Sequence, residues 1–196
     1  MNQSDFLKCM KETFDSVSEE QISRIIDMLF SAWKQGNSVY IIGNGGSAST
    51  ATHFAADLVK TVIDKPTDKG IKAISLSDNI PLTSALVNDW GKENIFFSQL
   101  VTFFQKKDVL IAFSVHGGSG SDKDGAWSQN LPKAIEYAKH CGGVTIGFAG
   151  FDGGVMKDLC DVCVVAGEST PVVESLHVVL THLITFCLKE KIANEK

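Results

Sequence analysis

Short apolar stretches alternate with helical patterns along most of this chain, and no other feature constrains the fold as strongly. The stretches are rich in Val, Ile or Phe, which is typical of buried strands. Strands separated by helices pair in parallel and need helices over both faces of the sheet. The sequence therefore predicts an α/β protein, a three-layer αβα sandwich around a five-stranded parallel sheet, with strands at 38–42, 72–76, 109–113, 144–148 and 162–165.

Two helices are predicted before the first strand, at residues 6–17 and 22–33. Ser18 precedes two glutamates and is a typical N-cap for the second of them. No linker separates these helices from the rest of the chain, and 196 residues suffice for one well-buried core. We expect a single domain, with N-terminal helices in residues 1–36 and an α/β core in 37–196.

Two loops rich in Gly and Ser follow the first and third predicted strands. Ligands of open parallel sheets bind beside the carboxyl ends of the strands. Glycines let backbone N–H groups approach an anion, and a following helix N-terminus favours negative charge. We predict that the first loop binds the phosphate of a sugar phosphate and that the second faces the same crevice. The first loop holds Asn44, Gly45, Gly46 and Ser47, and the second holds Ser114, Val115, His116 and Ser119.

The first loop also fits two other interpretations. Its G-x-G-x-x-A pattern is the weak form of a dinucleotide fingerprint, with Asp78 as the acid for the ribose. That interpretation leaves the second loop unexplained, and so short a chain has no room for a substrate domain. A tight turn without a ligand is the remaining alternative.

Histidines and carboxylates occur on two otherwise apolar predicted helices. His53 and Asp57 are four residues apart and share a face, as do Glu174 and His182, which lie two turns apart. Two imidazoles and two carboxylates suit zinc or a similar divalent ion. Hydrogen-bonded core histidines with solvated acids explain the same pattern, so both interpretations stay open.

Composition and termini argue against several classes of partner. The net charge is −5 without a long basic cluster, so no nucleic acid partner is expected. The polar N-terminus lacks the features of a signal peptide, and no apolar run approaches the ~20 residues that span a membrane, so we expect a cytoplasmic protein with no membrane partner. Cys160 and Cys163 have CxxC spacing, but we interpret them as small buried residues at the start of a strand.

At this point the motifs resemble one family, the phosphoheptose isomerases with a sugar isomerase (SIS) domain. The resemblance covers nearly the whole chain in order, and it rests on the motifs at 43–48, 53–58, 88–89, 108–114 and 174–182. It implies a homotetramer that packs through the N-terminal helices and has active sites between subunits. It also implies conversion of sedoheptulose 7-phosphate to D-glycero-D-manno-heptose 7-phosphate.

Carried over by position, the resemblance also implies the site residues. The metal, most simply Zn²⁺, would be held by His53, Asp57, Glu174 and His182. The catalytic residues would be Asp57 and His182, joined in our hypothesis by Glu174. Substrate contacts would come from Asn44, Gly45, Gly46, Ser47, Asp57, Asn88, Asp89, Ser114, Val115, His116, Ser119 and Glu174.

Several positions depart from the family pattern. Asp57 stands where the family usually has Glu, and Glu174 where it has Gln. The second loop carries Val115 and His116 in place of hydroxyl residues, followed by an insertion around 120–127 that ends in Trp127. These changes leave the base role open between Asp57 and Glu174 and put the usual substrate in question. The alternative function is a non-catalytic SIS-domain protein, either a sugar-phosphate regulator or a partner in replication initiation.

Overall fold

The computed structural model describes residues 1–118 and 128–195, which form alternating helices and strands. Two helices, α1 (Gln3–Asp15) and α2 (Glu19–Gln35), precede the sheet. Asn2 caps α1 in a reciprocal capping box with Asp5, and the Ser18 side chain caps α2 as predicted. Further along the chain lie α3 (Gly46–Ala56), α4 (Ile80–Trp90), α5 (Phe97–Phe103), α6 (Asn130–His140), α7 (Met156–Leu159) and α8 (Thr170–Ala193).

The five predicted strands are present and all pair in parallel, in the order β2-β1-β3-β4-β5. Their bounds are Ser38–Gly43 for β1, Lys72–Ser75 for β2, Val109–Ser114 for β3, Val144–Ala149 for β4 and Val162–Val165 for β5. Strand order reverses between β1 and β3, because β2 lies on the far side of β1. The carboxyl ends of β1 and β3 therefore meet at a topological switch point, where such sheets bind ligands.

Two apolar clusters lie on opposite faces of the sheet. Ile41 on β1 points into a core formed with α2, α3 and α8, whereas its neighbour Ile42 points into a core formed with α5 and α6. This alternation is the two-residue period of a strand buried on both sides. The arrangement confirms the predicted three-layer sandwich.

Helix α8 is the longest described helix, and by length and mean hydropathy alone it could span a membrane. Half of its most apolar window is buried inside the protein, where α8 packs against α2 and α3. Leu176, Leu180 and Ile184 belong to the core on that face of the sheet. Its apolar character is therefore that of a core helix.

Two segments depart from a regular α-helix. Helix α3 ends at Ala56 and continues as a π-helical turn at Asp57–Thr61. A 3₁₀ turn, Lys92–Asn94, precedes α5. The Asn94 side chain donates to the carbonyl of Trp90, a local bond that competes with helical pairing.

Candidate functional site

The first glycine-rich loop connects β1 directly to α3. Gly45 has φ of +55°, a conformation that favours glycine, and a Cβ at Gly43 would meet the Ser47 carbonyl oxygen at 2.5 Å. The Ser47 amide is bonded to the Asn44 carbonyl at 3.0 Å, while the Gly45 and Gly46 amides bond to no other described residue. These two amides are thus available to an anion at the start of α3.

The second loop folds back on residues 150–154. Gly118 donates to the Ser114 hydroxyl at 3.0 Å, and Gly150 donates to the Val115 carbonyl at 3.0 Å. The His116 ring stacks on Phe151 with their centroids 4.4 Å apart. Ser119 and the insertion at 120–127, Trp127 included, lie outside the described residues.

The two loops face one cavity, as the sequence predicts. Its volume is about 120 Å³, room for about four water molecules. Leu131 closes part of its apolar side. Six of the predicted substrate residues line it: Asn44, Ser47, Ser114, Val115, His116 and Glu174.

Glu174 reaches this cavity from the N-terminal part of α8. A Cβ added at Gly46 would meet its Oε1 atom at 2.5 Å, so the carboxylate lies directly over the first turn of α3. The Glu174 carboxylate is therefore part of the cavity wall. Among the described residues, the close group of potential metal ligands does not include it.

That group is formed by His53, Asp57 and His182. The His53 and His182 Nε2 atoms are 3.4 Å apart, and Asp57 Oδ2 lies 3.7 Å from the first and 3.9 Å from the second. Both imidazole side chains are about half exposed, whereas the Asp57 side chain is 14% exposed. Of the four residues that the family resemblance implies as metal ligands, the structure brings these three together.

The donor atoms of the three residues are suitably placed for a divalent ion. Ligand atoms of a tetrahedral site with bonds of about 2.0 to 2.2 Å lie about 3.3 to 3.6 Å apart. The separations of 3.4, 3.7 and 3.9 Å are close to that range. Two imidazole nitrogens and one carboxylate oxygen also form a common catalytic zinc set, which leaves a coordination position for substrate or water.

Asn88 and Asp89 are not brought to the cavity of their own chain. Both are exposed on the last turn of α4, where the Asn88 amide donates to Asp89 Oδ1 at 2.6 Å. Any contact they make with substrate must therefore involve another subunit's cavity or a rearrangement.

Sequence reasoning missed two polar residues beside the site. Asn130 exchanges a reciprocal pair of hydrogen bonds with Asn44, at 3.0 and 2.9 Å, and is itself 5% exposed. Thr61 donates to Asp57 Oδ1 at 2.8 Å. The four-residue spacing of Asp57 and Thr61 was a usable signal, but nothing in the sequence linked Asn130 to Asn44.

The remaining histidine of α8 is part of the core. His177 is 2% exposed and contacts the rings of Phe113 and Phe148. Burial lowers its pKa to about 4, and the nearby Ala149 carbonyl opposes this only weakly. Neither ring nitrogen has a hydrogen-bond partner of good geometry among the described residues. His177 is therefore held neutral.

The two cysteines with CxxC spacing are buried, as expected for small core residues at the start of a strand. Cys160 and Cys163 are both buried beside Gly147. Burial raises the pKa of both thiols, that of Cys163 to about 12, so little thiolate forms at neutral pH.

Larger cavities exist, but they do not mark this site. One of about 750 Å³ runs along edge strand β2, and one of about 780 Å³ lies at β5. Neither is lined by a predicted site residue. The chemistry of the side chains, rather than volume, locates the site.

Comparison with known proteins identifies the family. The SIS domain model matches residues 5–150. The chain is 34% identical over 197 residues to the phosphoheptose isomerase of Helicobacter pylori strain P12, an alignment that covers 98% of this chain and 96% of that protein. The chain belongs to the phosphoheptose isomerase family of SIS-domain proteins. As a member of this family it is an enzyme of the isomerase class.

Two other known proteins are also similar to this chain. The chain is 40% identical over 162 residues, 80% of its length, to the lincomycin biosynthesis protein LmbN of Streptomyces lincolnensis, but it spans only 58% of that protein. The structure of a phosphoheptose isomerase from Francisella tularensis superimposes with a TM-score of 0.84 at 20% identity, covering 95% of this chain and 94% of that one. This second likeness supports the fold. Membership of the phosphoheptose isomerase family does not support the dinucleotide interpretation of the first loop.

Proposed function

We propose that this enzyme interconverts a ketose phosphate and an aldose phosphate, with sedoheptulose 7-phosphate and D-glycero-D-manno-heptose 7-phosphate as the pair. The observation that carries the proposal is the convergence of a His–Asp–His trio: His53 on α3, Asp57 on the π-helical turn that follows it, and His182 on α8. Ser47 near the start of α3 and Glu174 on α8 line the cavity, so the cavity and the trio lie along the same pair of helices. The names of the relatives support the heptose phosphate.

The substrate phosphate is proposed to bind between the two loops. The Gly45 and Gly46 amides bond to no other described residue, and Ser47, the next residue in the chain, lines the cavity. The Glu174 carboxylate would repel a phosphate at the first turn of α3. We therefore place the phosphate on the second-loop side of the cavity, near Ser114 and His116, and the sugar hydroxyls nearer Glu174.

The reaction moves a proton between adjacent carbons through an enediol. Asp57 and Glu174 are the two carboxylates that could take this proton, and His182 is proposed to transfer protons at the substrate oxygens. A divalent ion, most simply Zn²⁺, held by His53, Asp57 and His182, would supply Lewis-acid stabilisation of the charge that develops on oxygen. Glu174 would join this set only after leaving Gly46, so we propose proton transfer as its first role.

We also propose that the enzyme assembles as a cytoplasmic homotetramer, as the family resemblance implies. Leu7 and Phe14 on α1 are 61% and 45% exposed, and Phe186 on α8 is 57% exposed. Apolar side chains left on the outer surface of these helices are typical of subunit contacts. An interface there would place a neighbouring chain close to His182.

The test is incubation of the metal-loaded protein with sedoheptulose 7-phosphate and with shorter ketose phosphates, followed by NMR. We expect aldose signals that grow with time from the heptulose phosphate and that a chelator abolishes. Asp57→Asn is the inactive control. Binding of the phosphate without conversion in the presence of metal would favour the regulator, and conversion unaffected by complete metal removal would overturn the metal-assisted part.

A further inference from the structure

The segment that carries Asp57 has an unusual backbone. Helix α3 ends at Ala56, and Asp57–Thr61 forms a single π-helical turn in which the Val62 amide donates to the Asp57 carbonyl at 3.2 Å. Turns of this kind are rare, and they occur frequently at functional sites. This turn packs against α8, the helix that supplies His182.

Within this turn the two oxygens of Asp57 have different partners. Oδ1 accepts a hydrogen bond from the Thr61 hydroxyl at 2.8 Å, whereas Oδ2 faces the Nε2 atoms of His53 and His182. The hydrogen bond restricts rotation of the carboxylate about its terminal torsion. A carboxylate without such a partner would rotate freely and present either oxygen.

We infer that Thr61 is a positioning residue, which holds the Asp57 carboxylate so that Oδ2 is directed at the two imidazoles. The hydrogen bond of the Thr61 side chain goes to Asp57, so Thr61 acts on the two imidazoles through Asp57. The inference rests on the proposed function, because it assigns Thr61 a role toward the metal held by the trio. Ligating carboxylates are generally oriented by such outer hydrogen bonds.

The experiment measures zinc affinity directly, by competition of the full-length protein with a chromophoric chelator. Thr61→Val keeps the shape and removes the donor, and Thr61→Ser keeps the donor. We expect Thr61→Val to bind zinc about 10- to 100-fold more weakly, and Thr61→Ser to bind close to the wild type. Thr102→Val on α5, whose hydroxyl donates to the Ser98 carbonyl at 3.5 Å, is the matched control and should not change the affinity.

Metal-free melting temperatures separate positioning from folding. We expect the metal-free Thr61→Val protein to have the same melting temperature as the metal-free wild type. Thr61→Ala is a second variant that lacks the hydroxyl donor. Equal zinc affinity in wild type and both donor-less variants would overturn the role of Thr61 alone. An equal loss in Thr61→Ser would also overturn it, because the hydroxyl would then not be the cause. A wild-type protein that binds no divalent ion would instead overturn the proposed metal site itself.

Discussion

The Nε2 atoms of His53 and His182 lie 3.4 Å apart, although 129 residues separate them in the chain. Their rings meet edge to face, with centroids 5.0 Å apart. Two half-exposed imidazoles held this close gain more from a shared cation than from each other, since at most one proton can bridge them. A cation shared by the two rings should therefore stabilise the folded protein.

Zinc should stabilise the wild-type protein through both histidines. Free ligand at 100 times its dissociation constant adds about 2.7 kcal/mol to the free energy of unfolding. We expect a clear rise in the wild-type melting temperature on adding zinc, and a loss of most of that rise in His53→Asn and in His182→Gln. His140→Gln, which alters an exposed histidine on α6, is the control and should keep the full shift. An undiminished shift in both site variants would show that zinc binds elsewhere.

Glu174→Gln separates proton transfer from metal binding, because an amide can still coordinate a metal but cannot accept the proton. If Glu174 is the base, the turnover number should fall about 10²- to 10⁴-fold, with zinc affinity retained. Turnover is followed by NMR, and affinity by chelator competition. Retained activity in Glu174→Gln, alongside an inactive Asp57→Asn, would show that Glu174 is not the base.

We expect Asn130 to hold the Asn44 side chain in position at the cavity. Its amide makes two hydrogen bonds to Asn44 and is almost fully buried. Asn130→Leu removes both bonds and frees the Asn44 side chain at the cavity. We expect an increase in KM for the sugar phosphate and a loss of stability of about 1 to 3 kcal/mol, measured by steady-state kinetics and urea unfolding. Asn194→Leu, at the exposed end of α8, provides a comparison; similar KM values in the two variants would contradict the prediction.

Acid should destabilise the protein through His177. Its pKa is lowered from 6.5 to about 4 in the folded state, so the unfolded chain takes up the proton first as pH falls. The free energy of unfolding should therefore decrease between about pH 6.5 and pH 4, by about 3 kcal/mol from this residue. Urea unfolding at several pH values measures the decrease. His177→Leu should show a smaller pH dependence than wild type over that range, whereas His140→Gln should follow wild type; parallel curves for wild type and His177→Leu would refute the assignment.

Much of the fold followed from local patterns in the sequence. Apolar runs such as that of β3 predicted the strands, and Ser18 predicted the start of α2. These features depend on neighbours a few residues away, so periodicity and capping chemistry suffice to find them. The break of the third helix at Asp57 was not predicted, because a π-helical turn has no simple compositional signal.

The sequence by itself determined the parallel α/β architecture, the two loops that face the cavity, and the shared faces of His53 with Asp57 and of Glu174 with His182. Only the tertiary structure decided that His182 meets His53 while Glu174 turns to Gly46, and that Asn130 pairs with Asn44. The physical reason is that helical spacing fixes which residues share a face. The direction of each side chain depends instead on residues far away in the chain, as where the Glu174 carboxylate lies beside Gly46.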